Sequence, residues 1–235
     1  DRLNVTKLEQ YELDNYRELL DLDDKYSGYQ KVAANVIAMD GTNWFSSFTI
    51  DKGSKEGIKK GMNVIAGSGL VGIVTDVGPN FAKVRSIIDD SSNVSSMVLT
   101  TKDNFNVGGS LKSMNQDKVL PFTELRDEDD KVKVGDPVVT SYVSDQYQEG
   151  ILIGYIASIE KNANNLTKSG TITPVVDFQH LREVLVITTL KDTGEKELSS
   201  LKSKDKRLAE VIDKVGMVKR RVIPDLFAAL VHSIV

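Results

Sequence analysis

Three patterns of apolar and polar positions divide the chain. Residues 1–26 contain no Gly or Pro, and Leu8, Tyr11, Asn15 and Leu22 recur at heptad-like spacing, with Leu19 just off the seam. Apolar residues on that period predict a helix: the tail of a coiled coil, or a solitary amphipathic helix packed on its own domain. In the coiled coil those four residues form the self-association seam, where a buried Asn15 would fix register at some cost in stability. After Ser27-Gly28 the character changes. Short Val/Ile/Thr-rich runs separated by Gly, Asn, Asp and Ser predict strands at 32–39, 47–50, 62–66, 72–77, 82–88, 93–101, 107–112, 137–141, 152–159, 170–176 and 183–189. About eleven short strands without helices between them indicate antiparallel sandwiches or barrels. After Thr193-Gly194 helical spacing returns at Leu198, Leu201, Leu208, Val211, Ile212 and Val215. A second helix follows Pro224, a residue suited to a first turn, and carries Leu226, Phe227, Leu230, Val231 and Ile234.

The strand region contains an echo. Gly61-Met62-Asn63-Val64-Ile65 precedes Gly69-Leu70-Val71-Gly72-Ile73-Val74, and Gly135-Asp136-Pro137-Val138-Val139 precedes Gly150-Ile151-Leu152-Ile153-Gly154-Tyr155-Ile156. Two related β subdomains side by side would produce this pattern. The first copy also spells a G-x-G-x-x-G at Gly67, Gly69 and Gly72, with Asp89 where a dinucleotide fold keeps its ribose carboxylate. In that fold the third glycine opens a helix whose N-terminus holds the pyrophosphate. Here Gly72 leads into a β-branched run that ends at Gly78-Pro79, so the glycines read as a turn and a kink in a curved sheet.

Composition narrows the chemistry. The chain has no cysteine, which removes thiolate catalysis, cysteine zinc sites and disulfides, and only His180 and His232 are available as imidazoles. A net charge of −4 argues against bulk attraction to nucleic acid or anionic lipid. With 40% apolar residues the chain can bury a core, and it contains no apolar run long enough to cross a membrane. It opens on Asp1, within a polar helical pattern, and reads as a fragment whose N-terminal part has been removed.

No catalytic, cofactor-binding or metal-binding residues are assigned. Arg126-Asp127-Glu128-Asp129-Asp130 lacks the alternation and turn glycine of a calcium loop and reads as a solvated hairpin loop. Asp89-Asp90-Ser91-Ser92-Asn93 reads as a turn between strands. His180, near Asp177, reads as a surface residue, and Trp44-Phe45 as core or barrel-lid packing.

Residues 13–191 resemble the extracytoplasmic region of the rod shape-determining protein MreC family. The resemblance is carried by Leu13-Asp14-Asn15-Tyr16-Arg17-Glu18-Leu19-Leu20, by Val36-Ile37-Ala38-Met39-Asp40 with Trp44, and by the block IDKGSKEGIKKGM at 50–62. Gly69-Leu70-Val71-Gly72, Gly135-Asp136-Pro137-Val138-Val139-Thr140-Ser141 and Gly150-Ile151-Leu152-Ile153-Gly154 complete it. Two departures stand out: Tyr142 follows Thr-Ser where the family has Gly, and Tyr147-Gln148 replaces Phe-Pro, so that loop is expected to differ in shape. The resemblance implies a mainly β fold, with a coiled-coil helix end at 1–28 and a double β-barrel region at 29–191; the short helical appendage at 192–235, read from its apolar spacing, lies outside it and is of uncertain origin. It implies no cofactor and no catalysis, but a homodimeric scaffold of the cell-wall elongation machinery. The implied partners are MreD and a class B penicillin-binding protein, with MreB contacted indirectly. The implied place is the extracytoplasmic face of the bacterial membrane, below a transmembrane anchor.

Residues 195–235, with KDKRLAEVIDKVG and DLFAALVHSIV, weakly resemble the opening helices of helix-hairpin-helix DNA glycosylases of the 3-methyladenine type. That family's helix-hairpin-helix and catalytic Asp are not among these residues. The alternative function this implies is nucleic-acid binding through basic C-terminal helices that include Lys204, Lys206, Arg207, Lys219, Arg220 and Arg221.

Overall fold

The computed structural model describes residues 20–39, 46–127, 130–162 and 166–191. Leu8, Tyr11, Asn15, Trp44, Phe45 and the helices expected at 192–235 lie outside the described residues. Residues 20–25 are helical (α1). Twelve strands follow, together with a short helix, α2, at Leu111–Asp117. The strands are β1 (Lys31–Met39), β2 (Ser47–Ile50), β3 (Asn63–Ala66), β4 (Gly69–Val77), β5 (Ala82–Ser86) and β6 (Asn93–Val98). The second half adds β7 (Asn104–Gly108), β8 (Leu120–Leu125), β9 (Pro137–Thr140), β10 (Leu152–Lys161), β11 (Lys168–Pro174) and β12 (Glu183–Ile187).

These strands close into two antiparallel six-stranded barrels. The first runs β1-β12-β3-β4-β5-β2 and returns to β1; the second runs β10-β11-β8-β7-β6-β9 and returns to β10. Both rings have the same pairing order once β12 is placed where β6 stands. The slots of β6 through β11 are then filled in the first barrel by β12, β1, β2, β3, β4 and β5. The second barrel is therefore continuous in sequence and is inserted before the strand that closes the first. The echo in the sequence corresponds to the hairpins β3–β4 and β9–β10, which occupy equivalent slots.

Alternation places one side of each strand inside its barrel. Val64, Val74, Val84 and Val186 fill the first, and Val98, Phe122, Val138, Ile153 and Ile172 the second, all fully buried. In the second barrel Phe105 and Phe122 meet at a tilt of 60° with ring centroids 5.0 Å apart, a favoured aromatic arrangement.

Gly72 lies inside β4, not at the start of a helix, so no pyrophosphate-binding helix follows it. A Cβ on Gly72 would stand 2.1 Å from the Arg85 carbonyl oxygen, which is why the position has none. Two expectations change. The strand expected at 107–112 ends at Gly108, because Ser110 caps α2: its hydroxyl accepts from the Ser113 N–H at 3.2 Å, and Asp90 accepts from the Leu111 N–H at 2.9 Å. The strand β8 was not expected, since Pro121 and Glu124 break the run; Glu124 sits at φ 64, an irregularity that the strand absorbs.

Candidate interaction surface

The loop between β9 and β10 joins the two barrels. Asn63 lies on the outer side of β3, one residue from the inward-facing Val64, and is nevertheless buried. Its side chain donates to the Gln146 carbonyl at 2.9 Å and accepts from the Gln148 N–H at 2.7 Å. Gln148 in turn donates to the Thr189 carbonyl at 2.8 Å. Tyr147 is buried between these contacts; burial pushes its hydroxyl up to about 12, with nearby Arg85 acting in the opposite direction. Gly69 approaches the Leu152 carbonyl so closely that a Cβ there would stand 2.4 Å from it. The Tyr147-Gln148 departure is thus a clamp between barrels, and its side chains face inward. Asn63→Ala would leave the Gln148 N–H and Gln146 carbonyl unpaired in a buried seam. It is expected to cost about 2 kcal/mol, read as a lower urea midpoint at unchanged slope.

Of the residues expected to mediate self-association, Leu22 falls within the described part. It is 1% exposed and packs in the core of its own chain, whereas neighbouring Leu20 is exposed. The acidic run differs from the solvated loop expected. Asp127 is buried: it accepts from the N–H groups of Lys131 and Val132 at 2.8 and 3.1 Å and from Lys168 Nζ at 2.6 Å. Lys168 also pairs with Asp130 at 2.5 Å, and Lys161 with Asp130 at 3.0 Å. The acids are pinned by backbone donors and a buried lysine, which a run of side chains read in isolation does not reveal. Asp89 and Asp90 do form the expected turn. His180 and Asp177 pair at 2.6 Å on the surface, both exposed. Among the described residues no three His, Cys, Asp or Glu side chains gather as a metal site, and no helix is long and apolar enough to cross a membrane.

One outer face of the second barrel gathers exposed apolar side chains. Val98 pairs with Val138, both inside, so the next step along each strand points out. There the Leu99 N–H donates to the Pro137 carbonyl at 2.9 Å, and Pro137 pairs with Tyr155 across β9–β10. Leu99 is 43% and Tyr155 45% exposed. Val134, 65% exposed, precedes the Gly135 whose N–H donates to the carbonyl of Ile156 beside Tyr155. An apolar row with a central tyrosine, flanked by Lys133 and Asp136, has the make-up of a protein-binding patch. Sequence reading missed it, although strand parity carries a signal: Tyr155 lies between the buried Gly154 and Ile156.

A family model for the rod shape-determining protein MreC, barrel core, matches residues 36–188. The cell shape-determining protein MreC of Listeria monocytogenes is 33% identical over 180 residues, which are 76% of this chain and 60% of that relative's length. A solved structure of MreC from Listeria monocytogenes is 31% identical, with a TM-score of 0.62 over 81% of this chain and 94% of that one. A second solved structure, a complex between penicillin-binding protein PBP2 and MreC from Helicobacter pylori, shares the fold at 12% identity. Its TM-score is 0.51 over 68% of this chain and all of the compared one.

Proposed function

Since the chain belongs to the rod shape-determining MreC family, we propose that it acts as a non-enzymatic scaffold of the cell-wall elongation machinery at the extracytoplasmic face of the membrane. It associates with itself through the segment that carries the heptad-spaced Leu8, Tyr11 and Asn15, and it holds a class B penicillin-binding protein; MreD and, indirectly, MreB complete the assembly. The observation that carries this reading is the outer row of Leu99, Pro137 and Tyr155, set on a closed barrel. A partly buried tyrosine flanked by aliphatics releases apolar surface from water when a partner covers it, and such centres dominate interface energies. The existence of a partnered family relative with this fold adds support.

The test is the affinity for the extracytoplasmic part of a class B penicillin-binding protein. Leu99→Ser with Tyr155→Ser is expected to weaken binding about 30-fold, as loss of one strong anchor does. The melting temperature should fall little, because both side chains lie outside the barrel. Unchanged affinity would refute the assignment of this face. Self-association is read separately by sedimentation equilibrium: Leu8→Asp with Tyr11→Asp should give a monomer, and a persisting dimer would place the contact elsewhere.

A further inference from the structure

The end of α1 is tied to segments distant in sequence on both barrels. The Leu152 N–H donates to the Tyr26 hydroxyl at 3.0 Å, and the Tyr29 hydroxyl donates to the Glu149 carbonyl at 3.1 Å. Lys25 donates to the Ser68 carbonyl in the β3–β4 turn at 3.0 Å. Lys31 draws the exit back on itself, donating to the carbonyls of Asp23 and Tyr26 at 2.8 and 2.7 Å and pairing with the Asp23 carboxylate at 2.8 Å. Leu22 and Tyr26 are buried beneath this network. Burial pushes the Tyr26 and Tyr29 hydroxyls up, so both stay protonated, and Tyr29 keeps its donor, throughout the physiological range.

The tyrosines do not simply duplicate the clamp between the barrels. Asn63 and Gln148 bond barrel to barrel, whereas Tyr26 bonds the helix exit to the first residue of β10 and Tyr29 bonds it to Glu149 in the loop just before that strand. That strand begins at Leu152 and carries Tyr155 of the apolar row three residues later. We propose that Tyr26 and Tyr29 are positioning residues: they fix the direction in which the helix leaves the body relative to the apolar face of the second barrel. Resting on the function proposed above, this means that two chains joined through their helices present their partner faces at a set angle. Each hydroxyl contributes one hydrogen bond, a net gain small against the stability of a barrel and sufficient to select one orientation of a helix exit.

The experiment uses the full chain, whose lack of cysteine allows spin labels at introduced Asp21→Cys and Gln116→Cys, both exposed positions. Labelled chain is diluted into unlabelled chain so that distances within one molecule are read. The expected result is one narrow helix-to-barrel distance, which broadens in Tyr26→Phe with Tyr29→Phe while the melting temperature moves little. In the same variant the amide of Leu152 should exchange at least ten-fold faster than in the unsubstituted chain. A distribution that stays narrow in the double variant, or is already broad without it, overturns the positioning role. Should the double variant fail to fold, Tyr29→Phe alone, at the more exposed ring, gives the same reading. The distance measurement needs no partner. A chain that binds no penicillin-binding protein but shows narrow-to-broad behaviour would keep the positioning role and remove the partner.

Discussion

Gly154→Val is expected to melt the second barrel at a cost of about 3 kcal/mol or more. A Cβ at Gly154 would stand 2.2 Å from the Thr173 carbonyl oxygen and 2.8 Å from the Ile172 side chain. The contact is with backbone of the neighbouring strand β11, which the closed ring holds on its other side against β8. Relief therefore requires opening the ring, since no rotamer change can move a carbonyl. Gly72 sits in the matching slot of the first barrel, 2.1 Å from the Arg85 carbonyl by the same construction, and its substitution should behave alike. Gly150→Ala is the comparison: space there is open, but φ is 78, so the cost is conformational, about 1 kcal/mol. Urea melts of the three variants should rank Gly154 and Gly72 well above Gly150. Equal midpoints would show that the strands part freely at these positions.

The second large effect is expected from Lys168→Ala. Its side chain is 9% exposed and that of its partner, Asp127, 2% exposed. Removing the lysine leaves a buried carboxylate with backbone donors alone, which costs about 3 kcal/mol. Changing both together, Lys168→Met with Asp127→Asn, removes the stranded charge and should recover much of the loss. Burial alone would raise the Asp127 carboxyl, but hydrogen bonds from Lys168, Lys131 and Val132 outweigh it and hold it below the usual carboxylate range. Burial alone would lower Lys168, yet its bonds to Asp127 and Asp130 leave it above the usual lysine range. The sign follows for each. Stabilisation through Asp127 is complete above the unfolded carboxyl value near 4 and fades as pH falls through the lower folded value. Stabilisation through Lys168 is complete below the unfolded amine value near 10.4 and fades as pH rises through the higher folded value. The gap in melting temperature between the unsubstituted chain and Lys168→Ala should therefore be widest near pH 7 and narrower at pH 3. A gap independent of pH would mean that the pair is only packing.

Alternation of Val and Ile with polar residues made most strands legible, because a half-buried strand must repeat every second residue. β8 was lost where Pro121 and Glu124 interrupt that repeat, and α2 because a single Ser110 cap after Gly109 is a faint signal beside a preceding strand. Glycines alone were ambiguous: Gly67, Gly69 and Gly72 match a phosphate loop, and the β-branched run after Gly72 decided against it. The buried state of Asp127 depends on Lys168, forty-one residues away, and pairings at that distance leave no mark on local pattern. The same holds for the apolar row, since Leu99, Pro137 and Tyr155 become neighbours only when β6, β9 and β10 are aligned. Leu22 fits a heptad seam in sequence, and its burial in the core of its own chain rests on residues distant in sequence that the heptad pattern does not display.

The position of β12 has a consequence in time. Lys31 pairs with Ile187, so the first barrel, whose first five strands emerge early, stays open until nearly the whole body has been made. The second barrel has all six strands between Asn93 and Pro174 and can close while the first still presents unpaired edges on β1 and β3. Long-range pairing of this kind is slow, and exposed edges invite pairing with other chains. A chain that ends before Glu183 would thus carry one finished barrel beside one that cannot close, and the inserted barrel becomes the template on which its elder neighbour completes itself.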